Sequence, residues 1–113
     1  MIDRDKLPEV VTAEERVRPP IHPGRVLELE WLRPLGLSVN RLANDVGVPR
    51  QRLNEVVRGK RTITADTALR LAHWSGMRAS FWLGLQARYD LEMIEWREGE
   101  RIKREVKPLA TTG

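Results

Sequence analysis

Residues 42–61, LANDVGVPRQRLNEVVRGKR, constrain this chain more than any other part of it. Leu42, Val46, Val48, Leu53 and Val56 recur at spacings that put all five on the inner side of two short helices, with one glycine, Gly47, between them. Ala43 falls where the two helices would approach most closely, and a larger side chain there would hold them apart. Gly47 supplies the turn, at a positive φ where a Cβ would be strained.

Those constraints together describe a DNA-binding helix-turn-helix. An αα-hairpin used only for packing would share the inward residues but gives no reason for a basic outer face. Residues 38–62 hold six basic side chains (Arg41, Arg50, Arg52, Arg58, Lys60, Arg61) against two acidic ones (Asp45, Glu55). The chain as a whole is +4, from 20 Lys and Arg against 16 Asp and Glu, so 14 of each remain elsewhere and all of the net positive charge lies in this segment. A basic segment of this kind points to an anionic partner.

On such a motif the second helix enters the major groove, and its N-terminal residues meet base edges. Arg50 suits guanine through a bidentate contact, Gln51 suits adenine, and Glu55 suits a cytosine amine or a neighbouring arginine that it orients; Arg52 is placed to take over from either neighbour. Ser38, Asn40, Arg41, Arg58, Lys60 and Arg61 are placed for phosphates, which fix register and affinity without reading sequence.

The flanking segments extend the helical pattern. Pro23 opens a first helix that carries Val26, Leu27, Trp31 and Leu32 and is expected to stop at Pro34 and Gly36. Ser38 caps the helix that closes at Gly47, Pro49 sits at the start of the next, which closes at Gly59, and Thr64 caps a fourth that ends at Gly76. Ser80 is the expected cap of a long last helix. Five helices and no convincing strand make the fold all-α, with Val106 to Ala110 as the only possible strand.

In the last helix Trp82, Leu85, Tyr89, Met93 and Trp96 form one apolar stripe, and Leu83, Ala87, Leu91 and Ile94 form a second beside it. So broad an apolar face exceeds what one small core needs, and the first stripe is expected to form a homodimer interface. The four tryptophans lie on such stripes, which favours packing over a stacking platform for single-stranded nucleic acid.

At 113 residues the chain suits one domain with tails: an N-terminal arm over 1–20, a helix-turn-helix and dimerisation domain over 21–98, and a charged tail over 99–113. It has no cysteine for a disulfide or thiolate site, and no run approaching the ~20 apolar residues of a membrane span. The opening MIDRDKLPEVVTAEERVRPP is too charged for a secretory signal, so a cytoplasmic location is expected. Neither His22 nor His73 has a clustered acidic partner, no glycine-rich phosphate loop is present, and no serine is set near a histidine in a way that suggests an activated nucleophile; no enzyme, metal or cofactor is expected.

The same residues look like the Xre, lambda-repressor-like helix-turn-helix class, and a longer match narrows the resemblance. HPGRVL, VPRQRLNEVVRGKR, ITADTALRLA and FWLGLQARYDL closely resemble the HigA antitoxins, also called the VapI type, over roughly residues 21–95. That resemblance implies the antitoxin of a type II toxin-antitoxin module. Such a protein is a homodimer that binds double-stranded DNA at a palindromic operator, represses its own operon and neutralises a small RelE-like, ribosome-dependent mRNA endonuclease. It also supports Arg50, Gln51 and Arg52 as readers. One departure stands out: where the family often has Ser-Pro-Glu before the last helix, this chain has Arg78, Ala79 and Ser80. Two other readings share these residues, an orphan transcriptional regulator without a toxin and a protein-interaction module that does not read DNA.

Overall fold

The computed structural model describes residues 19–110. The arm expected over residues 1–20 lies outside them except for Pro19 and Pro20. Every regular element among the described residues is helical, as the sequence pattern predicts. Helix α1 runs over residues 23–35, α2 over Val39–Val46, α3 over Arg50–Val57, α4 over Ala65–Ser75 and α5 over Ala79–Glu105. No helix among the described residues is long and apolar enough to cross a membrane.

Helix α1 opens where His22 accepts a hydrogen bond at Nδ1 from the Gly24 amide, 2.9 Å, with Pro23 in the first helical position. It does not stop at Pro34. The turn over Glu28–Leu32 is wound wide, with the Arg33 amide bonding back five residues to the Glu28 carbonyl. A proline ring in a regular helix collides with the carbonyl four residues before it, here that of Glu30. Widening the turn that contains that carbonyl lets the helix pass Pro34 and end at Gly36, whose φ is 65°.

Residues 21–89 form one compact unit. Its core contains Leu27 and Leu32 from α1, Leu42, Ala43 and Val46 from α2, Val48 from the turn, Leu53, Val56 and Val57 from α3, Ile63, Ala68 and Leu71 around α4, and Trp82 from α5. All five apolar positions of the opening stretch, and Ala43, are therefore buried as the spacing predicts. One tight approach was not legible: a Cβ on Gly24 would lie 1.8 Å from the Val56 carbonyl oxygen, so α1 can lie against α3 only with a glycine at that place.

Trp82 corrects the expected dimer stripe. It is fully buried, its ring lies 5.7 Å from that of Trp31 and 5.0 Å from that of Phe81, and its indole N–H donates to Ser75 Oγ at 3.2 Å. Leu85 and Tyr89 on the same stripe are half-buried, whereas Leu83 on the second stripe is exposed. The physical reason is the extent of the core: α1 and α4 bring Trp31 and Trp74 to this end of the unit, and the first stripe of α5 closes over them.

Ser80 is not the cap of α5, which begins one residue earlier at Ala79, the Phe81 amide bonding to the Arg78 carbonyl. Residues from Asp90 onward belong to a second unit. There α5 continues through the expected tail as far as Glu105, and Val106 to Ala110 form no strand. Arg101 bridges Glu98 at 2.9 Å and Glu105 at 2.8 Å, and Lys103 and Arg104 lie at the negative end of the helix dipole; this local pattern explains the extra turns. Leu91, Ile94 and Trp96 are exposed on this part, and Met93 is half-buried.

Candidate nucleic-acid interface

Two short helices and the loops at their ends carry the candidate residues. Ser38 Oγ accepts from the Arg41 amide at 3.0 Å and so caps α2. The helix closes at Gly47, with φ 70°, whose amide and that of Val48 both bond to the Ala43 carbonyl. Replacing this glycine by any other residue would force a left-handed conformation on a side chain. Arg70 of α4 holds the turn from outside: its guanidinium donates to the Val46 carbonyl at 3.1 Å and to Gly47 at 3.4 Å, while its Nε binds Asp66 at 2.8 Å. The last carbonyls of a helix lack internal partners, and a cation there meets both their hydrogen bonding and their negative end.

Pro49 starts α3 with a restricted φ of −54° and no side-chain cap. At the other end the Gly59 amide bonds to Val56 and the Lys60 amide to Glu55 at 2.8 Å, a Schellman closure that sets the path of the loop beyond. That loop is anchored again at Ile63, whose amide donates to Oε1 of the buried Gln86 at 2.8 Å. Thr64 then caps α4 by accepting from the Thr67 amide.

Leu53, Val56 and Val57 point α3 into the core, so helical spacing centres the opposite face on Gln51, Glu55 and Arg58, with Asn54 beside them. Arg50 and Arg52 flank that face at its N-terminal end, and Arg50, Gln51, Arg52, Asn54, Arg58 and Lys60 are all exposed. The motif therefore brings the base-reading candidates together on one solvent-facing surface. Ser38, Asn40 and Arg41 are exposed at the start of α2. Arg41 is paired with Asp45 at 3.1 Å.

Glu55 is held in an ion pair with the loop beyond α3. Its Oε2 accepts from Arg61 Nε at 2.7 Å. That hydrogen bond, with the charge of Arg61, a side-chain hydrogen bond from Gln51 and the charge of Lys60, outweighs the opposing desolvation and holds its carboxyl below the ordinary range. At neutral pH the group is a carboxylate with its acceptors partly taken.

Sequence reasoning missed Gly24, Arg70 and Gln86. Gln86 left a signal, because it interrupts the apolar stripe between Trp82 and Tyr89, a place where a polar side chain is buried only with a partner.

Comparison with known proteins follows the same outline. A helix-turn-helix family model matches residues 29–73. Virulence-associated protein I of Dichelobacter nodosus is 48% identical over 85 residues, which span 75% of this chain and 79% of that protein. The solved structure of an addiction module antidote protein of the HigA family from Coxiella burnetii is 42% identical, with a TM-score of 0.77 over 81% of this chain and 100% of the other. The antitoxin HigA of Pseudomonas aeruginosa, solved with the higBA promoter, is 37% identical, with a TM-score of 0.77 over 80% of this chain and 99% of the other. A helix-turn-helix protein rather than an enzyme, the chain belongs to the HigA family of antidote proteins.

Proposed function

We propose that this chain is the antitoxin of a type II toxin-antitoxin module, which binds a palindromic operator as a homodimer, represses its own operon and neutralises a RelE-like mRNA endonuclease in the cytoplasm. The observation that carries the DNA part is the exposed polar face of α3, held rigid by the Gly47 turn and the Schellman closure, in a chain of the fold that carries promoter DNA in the Pseudomonas protein. Arg50, Gln51 and Arg52 read base edges from the N-terminal end of α3. Ser38, Asn40, Arg41, Arg58, Lys60 and Arg61 hold phosphates on either side of the groove.

Two copies are required for a palindrome, and the exposed Leu91, Ile94 and Trp96 of α5 supply apolar surface for the second copy, with Met93 half-buried on the same part of the helix. The toxin part is supported by family membership.

The test is to express the small open reading frame adjacent to this gene, alone and together with this chain. Arrested growth by the neighbour, rescue by this chain and co-purification of the two are expected. A harmless neighbour that does not bind would remove the antitoxin reading and leave a dimeric regulator.

A further inference from the structure

The inference concerns the turn between α2 and α3 and rests on the reading of α3 as the DNA-contacting helix. Three residues, Gly47, Val48 and Pro49, join the two helices and set how the N-terminal end of α3 is aimed. The amides of Gly47 and Val48 both bond to the Ala43 carbonyl, and the Pro49 carbonyl accepts from the Leu53 amide at 3.0 Å. Between those bonds sits a glycine at φ 70°, the residue type with the widest backbone freedom. The carbonyls of Val46 and Gly47 find no amide in the ladder of α2, because the helix ends there. Both are met by Nη1 of Arg70, which donates to Val46 at 3.1 Å and to Gly47 at 3.4 Å from 24 and 23 positions away.

Arg70 is itself aimed. Its Nε donates to Asp66 Oδ1 at 2.8 Å, one turn earlier on α4, and this fixes the plane of the guanidinium. A Cβ on Gly47 would stand 3.0 Å from Nη1, so the cation lies directly against the turn. The Arg70 side chain is 44% exposed, while Ala68 and Leu71 are the residues of α4 that enter the core, so Arg70 can be replaced without opening it.

We propose that Arg70 is a positioning residue for base reading: held by Asp66, it fixes the carbonyls of the α2–α3 turn and through them the approach of Arg50 and Gln51 to the groove. Bridging two successive carbonyls fixes the peptide planes on either side of Gly47, which its φ and ψ would otherwise let swing. Arg50 begins α3 three residues after Gly47, so a rotation in the turn reaches the reading end first. The later turns of the helix are anchored in the core by Leu53, Val56 and Val57.

The experiment begins with the full wild-type chain and a pool of random duplexes, from which a preferred site is selected. Arg50→Ala and Gln51→Ala, measured on every single base-pair change of that site, map the base pairs those two residues read. Arg70→Met, Asp66→Asn and the double variant are then measured on the same duplexes over a range of salt, with helix content and thermal midpoint recorded. Arg70→Met is expected to lower discrimination about fivefold at the base pairs mapped to Arg50 and Gln51, the low end of what one bidentate base contact is worth, with the salt slope unchanged. Asp66→Asn should act at the same base pairs to a smaller degree, and the double variant should discriminate no worse than Arg70→Met alone. An equal loss on every duplex would show a structural role only, and a salt slope shallower by about 1 would make Arg70 a phosphate contact. Either result overturns the proposal, as does unchanged discrimination. A wild-type chain that selects no duplex, or Arg50 and Gln51 variants that map to no base pair, sinks the reading of α3 itself, which is seen before Arg70 is varied.

Discussion

The two helices of the motif have the same length, eight residues, yet they are made in different ways. Helix α2 carries its own instructions. Ser38 caps its start, Arg41 and Asp45 pair across one turn, Leu42, Ala43 and Val46 line one face, and Gly47 ends it. Helix α3 has no side-chain cap, begins Arg-Gln-Arg, and is held by what surrounds it: the core beneath Leu53, Val56 and Val57, the backbone of α1 at Gly24, and the Schellman closure at its end. A helix of eight residues is far too short to be stable alone in water, so its order must come from tertiary packing. The difference teaches that α3, the helix proposed to read DNA, is relieved of local duties. Its outward residues are chosen for chemistry because its neighbours keep it folded.

The most severe way to break this contrast is Leu53→Ala. The side chain is wholly buried, and its loss should cost about 2 to 5 kcal/mol, lowering the denaturant midpoint and operator affinity together. Affinity that falls with stability unchanged would show that α3 does not depend on its inward face. Next in size is Arg50→Ala at the exposed N-terminal end, expected to cost about 1 to 3 kcal/mol of binding on the preferred duplex and much less on random DNA, with the melting temperature unmoved. Equal losses on both duplexes would make Arg50 a phosphate contact. The smallest is Ser38→Ala, which removes the cap of α2 and should lower stability by about 1 kcal/mol. A Ser38 hydroxyl that also meets phosphate would show as an affinity loss beyond that stability change, and this sharpens the division between the two helices.

What was legible in the sequence follows the same division. The five apolar positions, Ala43, Gly47 and the caps at Ser38 and Thr64 were readable because each is a local pattern with one physical cause. Gly36 ends α1 as expected, but Pro34 does not, because the widened turn before it carries the helix past the proline and leaves no mark in the local sequence. The last helix misled for a different reason: two apolar stripes lie side by side, and periodicity cannot say which one the core takes. Trp82 went to the core because Trp31 and Trp74 are brought to it from other helices, which is information spread over distant parts of the chain. Gly24 against Val56 and Arg70 against the turn carbonyls are long-range in the same sense. Turns past residue 99 were hidden because a charged segment reads as a tail until the spacing of Arg101 from Glu98 and Glu105 is taken as helical. Within the site, sequence position grouped Glu55 with the readers, while its bond to Arg61 depends on the path of a loop that no local pattern specifies.

The hydrogen bond from the Ile63 amide to Gln86 joins residues 23 positions apart, and it bears on the order in which the molecule is made. During synthesis α2 and α3 leave the ribosome before α4 and α5, and the contact between them joins segments close in sequence. The loop that carries Lys60 and Arg61 is different, because the Ile63 amide at its far end meets Gln86 only after the first turns of α5 have been added. The chain of the helix pair is thus present early in translation, whereas the loop after it gains its last anchor only with a later helix, as non-local contacts generally do. A nascent chain that ends at α4 has α3 in sequence but lacks the residue that receives the Ile63 amide.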